Sequence, residues 1–295
     1  MTTGGRRLAR YVRRRGRCRI PMSTVNTAVT TARAYSPSWR LASVIVLRSL
    51  VHALIRNKWG GRENVPGSGG VILAVNHLSY LDFAPDGVFF HSCGRYPVFM
   101  IKASAFEVKG IGGFLRKAGQ VPVYRGSSDA ALALSEAEER LAEGAAVVFY
   151  PEGTTTLDRD WWPMAARTGV ARLALATGVP VIPVAHWGTQ DIVPFGGKVP
   201  RLFPRKTVHV VAGCPVDLSR WAGQQDSAKA LRAATDAIMA QVTELVGQLR
   251  GETPLPVPYD PRNPAGAGPE SMTKPALETP SGQLKWQTPD LPSAT

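Results

Sequence analysis

The stretch GVILAVNHLSYLD, residues 70–82, holds both the framework and the chemistry of this chain. Its first half, VILAV, is a continuous apolar run of strand length bounded by turn residues, which fits a buried strand. The second half places Asn76, His77, Ser79 and Asp82 in quick succession just past that strand. A buried strand does not need them. In a loop or first helical turn, a carboxylate five residues from a histidine can fold back onto the imidazole. It then accepts a hydrogen bond from one ring nitrogen and leaves the other free as a base. Such a dyad removes a proton from a hydroxyl. An aspartate that only caps a helix beside an unrelated histidine is the bland alternative, and these residues alone leave both open.

Working outward, further strands are expected at 96–102 (YPVFMIK), 119–125 (GQVPVYR), within AAVVFYPEG, in VPVIPVAHWG and in KTVHVVAGCPVDL. Helical spacing marks 39–57, SSDAALALSEAEERLAEG with its Ser/Asp start and closing glycine, ARTGVARLALATG, and a long terminal segment that begins SAKALRAATD. Strands alternating with helices imply an α/β fold, with a mixed, mostly parallel sheet flanked by helices. The expected division is a basic, disordered arm over 1–38, one domain over 39–250, and a proline-rich tail over 251–295. The tail has ten prolines in 45 residues and no apolar period, which predicts disorder.

Charge is unevenly placed. The 295 residues carry a formal +13. Eight arginines and no acid fall within residues 1–21, and without them the rest carries +5. Such an arm attracts the phosphates of anionic lipid or of nucleic acid, or is merely solvated. Met22 opens MSTVNTAV like an ordinary N-terminus, so a start at Met22 is an alternative. The arm is like the n-region of a signal peptide, but no uninterrupted apolar segment follows it. Three widely spaced cysteines (Cys18, Cys93, Cys214) show no metal-ligand spacing and suggest a reducing cytosolic compartment. The segment LASVIVLRSLVHALI, 41–55, falls short of the ~20 residues of a membrane span and is interrupted by Arg48 and His52. An interfacial or buried helix suits it better, and a peripheral protein is expected at the cytoplasmic face of the plasma membrane.

Three more blocks carry chemistry. In FYPEGTTT (149–156) a strand runs into Pro-Glu-Gly-Thr, where Gly153 permits a sharp turn and close ligand approach. Glu152 there either meets ligand hydroxyls or is a surface residue of a turn. Arg125 ends GQVPVYR, and beside His77 its guanidinium would suit a phosphate. Pro180 and Pro183 interrupt an apolar strand, which implies a sheet edge or a special local geometry. Trp161 and Trp162 suit either an interface or ordinary loop packing. For His52, His91, His186 and His209, structural roles are expected.

Taken in order, these blocks are Asn-His-four residues-Asp, Gly-five residues-Arg, Pro-Glu-Gly-Thr and Val-Pro-x-x-Pro-Val. Together they resemble the 1-acylglycerol-3-phosphate acyltransferase (lysophospholipid acyltransferase) family over about residues 55–215. The resemblance implies a membrane-associating N-terminal helix and transfer of a fatty acyl group from acyl-CoA or acyl carrier protein to a lyso-lipid hydroxyl. The thioester is then a co-substrate, no metal or bound cofactor is implied, and the partners are the lipid acceptor, the acyl donor and an anionic membrane surface. No nucleic acid is expected, since no recognised motif for it occurs. In that reading His77 deprotonates the acceptor, which attacks the thioester directly, and Asp82 orients His77. Asn76 or nearby backbone N–H groups would face the oxyanion. Arg125 would grip the acceptor phosphate, Glu152, Gly153 and Thr154 would shape its pocket, and Val181, Ile182 and Val184 would support or line the site. Lys102 would supply charge on the substrate side.

One departure matters. The family often continues Gly-Thr-Arg where this chain has Thr155. Arg159 or Arg167 is expected to compensate, and a glycolipid or another lyso-lipid is the alternative acceptor. Two rivals from other classes are a hydrolase using Ser79, which lacks a Gly-x-Ser-x-Gly elbow, and a non-catalytic basic binding protein.

Overall fold

The computed structural model describes residues 37–124, 127–193, 197 and 199–263. Seven strands form one sheet: β1 (Ile55–Gly60), β2 (Val71–Val75), β3 (Pro97–Lys102), β4 (Val121–Val123), β5 (Ala146–Phe149), β6 (Val181–Trp187) and β7 (Lys206–Ala212). Their order is β1-β7-β6-β2-β5-β3-β4. Every pairing is parallel except β6 with β7, so the sheet is mixed and mostly parallel as expected.

Among the described residues, seven α-helices accompany it: α1 (Pro37–Leu54), α2 (Phe83–Ser92), α3 (Ser104–Glu107), α4 (Ile111–Lys117), α5 (Ser127–Ala142), α6 (Gly169–Thr177) and α7 (Ala228–Arg250). The alternation of side chains along β2 explains the layering. Val71, Leu73 and Val75 join a core with Val51 of α1 and Val88, Phe89 and Phe90 of α2. Ile72 and Ala74 face the opposite core, with Leu141 of α5, Leu173 of α6 and Ile238 and Val242 of α7. Both faces of β2 are thus covered, which is why its sequence is apolar without alternation. Truncating Leu73 to alanine is expected to cost roughly 2–5 kcal/mol.

Several boundaries differ from the sequence reading. The first helix stops at Leu54, and Ile55–Gly60 forms β1 at the sheet edge. That segment, IRNKWG, has little apolar content, so only its parallel pairing with β7 reveals it as a strand. Next to it, Gly61 has φ 68°, and a Cβ there would lie 1.9 Å from the Ala212 carbonyl oxygen. The expectation of an edge strand for Pro183 fails, because β6 lies between β7 and β2. Special geometry resolves it. The Pro183 carbonyl accepts from Gly213 N–H, 2.8 Å away and just past β7. In a strand the nitrogen and carbonyl of one residue point the same way, so the missing N–H removes no bond to β2.

The boundary expected at residue 250 also shifts. Chain beyond α7 continues against the domain: Tyr259 is 3% exposed, and its carbonyl accepts from Ala165 N–H at 2.8 Å. The rest of the tail, residues 1–36 of the arm, and Arg125 lie outside the described residues.

The topology creates one crevice. From β2 the chain moves to β3 and β4 on one side, returns to β5, then crosses to β6 on the other. Ligands of open α/β sheets bind beyond the carboxyl ends of strands at such a switch point. The ends of β2, β5 and β6 bring His77, Glu152 and His186 there.

Candidate active site

Past Val75 the backbone leaves the sheet and Asp82 starts α2. Its carboxylate does not cap the helix ahead but folds back over the loop. Oδ2 accepts from Leu78 N–H at 2.6 Å and Ser79 N–H at 2.9 Å, and lies 2.8 Å from His77 Nδ1. Two backbone donors therefore aim the carboxylate at the imidazole. A bond from Nδ1–H leaves Nε2 as the free base position. The His77 side chain retains 17% exposure while that of Asp82 is fully buried. The ring stacks on Tyr150, with centroids 4.4 Å apart and planes 20° apart.

The Pro-Glu-Gly-Thr turn holds the other side of the loop. Glu152 Oε1 accepts from His77 N–H at 2.8 Å, and Oε2 accepts from Met164 N–H at 3.0 Å. Thr156 N–H donates to the His77 carbonyl at 2.7 Å. Glu152 is buried, contrary to a surface residue in a turn. Burial pushes its carboxyl up to about 8, against the pull of the backbone bonds from Met164 and His77. Gly153, at φ 74°, makes the turn possible and is exposed, and Thr154 is half-buried beside it.

The sequence reading missed the deeper part of the site. Asp82 and Asp86 lie four residues apart on one face of the α2 turn. His186 lies in phase along β6 with Ile182 and Val184, which pack in the core shared with α2. Consequently its Nε2 stands 3.1 Å from Asp82 Oδ2 and its Nδ1 3.1 Å from Asp86 Oδ2. Tyr150 O–H donates to Asp86 Oδ2 at 2.9 Å. Burial opposes the charge of His186, but Asp82 and Asp86 overcome it and raise the imidazole to about 10. Burial would raise Asp82, yet the His186 charge and the bonds from both imidazoles hold it well below the usual carboxylate range. For Asp86 burial prevails and the carboxyl rises. Burial, with both carboxylates beside it, lifts the Tyr150 phenol well above its ordinary value.

Other expected residues fall differently. Asn76 is fully buried and bridges strands: its Nδ2 donates to the His186 carbonyl at 3.1 Å and its Oδ1 accepts from His186 N–H at 2.9 Å. Its amide is engaged in the fold, and the N–H groups of His77, Leu78 and Ser79 are engaged too. Lys102 stands exposed at the end of β3, separated from β2 by β5. Val181, Ile182 and Val184 are buried support. Thr155 is buried, whereas exposed Arg167 lies over Gly153, with Nε 3.4 Å from where a Cβ would sit. Trp162 is buried beneath the Arg250 guanidinium, 4.0 Å from its ring centroid, which is packing and not an interface. Ser79 Oγ donates to the Val193 carbonyl at 3.1 Å, so the hydroxyl is directed away from a nucleophile's role. Among the described residues, no group of His, Cys, Asp and Glu is arranged to hold a metal ion.

A buried carboxylate aiming a partly open imidazole, at the mouth of a parallel sheet, defines a site for proton abstraction from a hydroxyl. Residues 56–187 match the family model described as Acyltransferase. A chloroplastic 1-acyl-sn-glycerol-3-phosphate acyltransferase of Brassica napus is 34% identical over 47% of this chain, which spans only 39% of that relative's length. The 1-acyl-sn-glycerol-3-phosphate acyltransferase of Bacillus subtilis is 28% identical over 64% of this chain and 87% of its own. The fold matches the crystal structure of the 1-acyl-sn-glycerophosphate acyltransferase PlsC of Thermotoga maritima. The TM-score is 0.52 and the identity 22%, over 73% of this chain and 84% of that one.

Proposed function

We propose that the chain transfers a fatty acyl group from an acyl-CoA or acyl carrier protein thioester to a lysophospholipid hydroxyl. The acceptor we favour is 1-acyl-sn-glycerol-3-phosphate, which gives phosphatidic acid. The observation that carries this reading is the Nδ1–Asp82 contact of 2.8 Å with the rest of the His77 ring partly open. His77 Nε2 takes the hydroxyl proton as the oxygen attacks the thioester carbonyl carbon. The tetrahedral adduct collapses, the carbon–sulfur bond breaks, and the departing thiolate takes the proton back from His77. An ester and a free thiol result, with no acyl-enzyme. Glu152 fixes the His77 backbone from behind, and Asp82 fixes the ring.

Arg167 supports a phosphorylated acceptor, since it lies beside the exposed Gly153 where buried Thr155 offers no cation. Arg125 is kept as a second candidate for the phosphate, Gly153 and Thr154 as pocket residues, and Lys102 as an outer charge. A membrane seat is supported by α1 and α4. Leu41, Ile45, Val46 and Leu50 are exposed on α1, and Ile111 and Phe114 on α4. Trp39 joins the two helices by an edge contact with Phe114, its centroid 6.4 Å away. Exposed Arg48, Lys109, Arg116 and Lys117 border this surface, as suits an anionic bilayer. Among the described residues no helix is long and apolar enough to cross a membrane. We place the protein at the cytoplasmic face, held peripherally.

The test is acyl transfer from labelled acyl-CoA and acyl carrier protein to a panel of lyso-lipids and glycolipids. Transfer to lysophosphatidic acid, with the acceptor KM raised about tenfold in Arg167→Ala, is the expected result. Preference for an uncharged glycolipid would overturn the acceptor assignment.

A further inference from the structure

Among the features that the proposed reaction leaves unused, the buried His186 is joined to His77 through Asp82. Its backbone N–H and carbonyl are both held by the Asn76 amide, one residue before His77. Each ring nitrogen faces a carboxylate: Nε2 faces Asp82 and Nδ1 faces Asp86. An imidazole with an anion at both nitrogens carries a proton on both, and is therefore a cation. That cation and the His77 imidazole share one oxygen, Asp82 Oδ2. Tyr150 joins the far end back to the start, since its hydroxyl bonds Asp86 and its ring lies on His77.

We propose that His186 is a positioning residue that acts through Asp82, its positive charge keeping that carboxylate in the anionic form that orients His77. The inference rests on the reading of His77 as the base. Burial alone would favour a protonated Asp82, since a carboxylate withdrawn from water loses the solvation of its charge. A protonated Asp82 holds the His77 ring less firmly. Placing a cation on the same carboxylate oxygen offsets that effect while keeping the orienting bond. The charged and titratable groups facing His186 are Asp82 and Asp86 from the α2 side, with Tyr150 and Glu152 following β5. The elevated His186 imidazole, at about 10, agrees with a cation throughout the neutral range.

Two variants test this, read as the pH dependence of kcat/KM for acyl transfer. His186→Gln removes the cation while keeping a donor. Asp86→Asn removes the anion at Nδ1, which lets His186 become neutral. In His186→Gln the acidic limb of the profile is expected to move upward by about 1 pH unit, with activity recovering towards wild type at high pH; in Asp86→Asn, which removes an anion along with the cation, it moves less. A residue that only fills space would lower activity at every pH without moving the limb. An unmoved limb in a His186→Gln variant that melts cooperatively overturns the proposal, as does a larger shift in Asp86→Asn. His77→Ala in the same assay separates the two claims: if it retains activity, the reading of His77 itself has failed, and if it is inactive while the limbs stay put, only the role of His186 has.

Discussion

Two regions of this molecule reverse the usual distribution of polarity, in opposite senses. At the ends of β2, β5 and β6, Asp82, Asp86, Glu152 and His186 are all buried. Along α1 and α4, large apolar side chains face outward, with Leu41 61% and Val46 66% exposed. Buried ionisable groups and exposed apolar patches are the informative exceptions to hydrophobic burial. The first region costs desolvation, which the fold offsets by pairing each group: carboxylates with imidazoles and backbone N–H donors. The second has no such compensation among the described residues. The difference teaches that the first region answers most of its own polar groups, Asp82 Oδ1 excepted, whereas the second is left open among the described residues.

Asp82→Asn attacks the first region hardest. The amide no longer holds His77 in one tautomer, and about a 10³-fold loss of kcat is expected, within the usual range for base catalysis. A loss below tenfold would mean that the dyad is structural. On the second region, aspartates at Leu41, Ile45 and Leu50 together are expected to cut binding to anionic vesicles by at least about tenfold. The loss should be smaller on substrate dispersed in detergent. Equal losses in both would show that the helix serves folding and not a bilayer.

The smallest effect separates the regions by pH. His186 and Glu152 both have raised values in the folded chain, about 10 and about 8. Each therefore binds its proton more tightly when folded. The stabilisation is complete below the unfolded value and disappears as pH rises through the folded one. The melting temperature should fall between about pH 5 and 10, by roughly 2–4 °C for each kcal/mol lost. Glu152→Gln should flatten the part near pH 8. Asp82 works in the opposite direction: its depressed value adds stability above the ordinary carboxylate range that vanishes in acid. The triple aspartate variant of α1 should keep the wild-type slope.

How much of this was legible in the sequence follows from distance along the chain. His77 and Asp82 are five residues apart, so a single loop could unite them and the spacing revealed it. Glu152 stood out because a glycine turn followed a buried strand, although its backbone partners did not. The pairing of His186 with Asp86 spans 100 residues and depends on the crossing from β5 to β6. The signal present was an ionisable residue in phase with the apolar face of a buried strand, which requires a partner but does not name one. Most strands were readable as apolar runs. β1 was not, because an edge strand of polar residues has no such signature. α2 was hidden as well, since FAPDGVFFHS contains proline and glycine and is apolar all round. The clamp by Asn76 was invisible for the same reason as His186: its partner lies 110 residues away.

The central claim is that His77 Nε2 removes the acceptor proton while Asp82 holds the ring. The most direct measurement is steady-state acyl transfer to lysophosphatidic acid by wild type and His77→Ala, with melting curves confirming that both are folded. The account predicts transfer by the wild type and a loss of at least about 10³-fold in the variant. Transfer by folded His77→Ala within tenfold of wild type would contradict it.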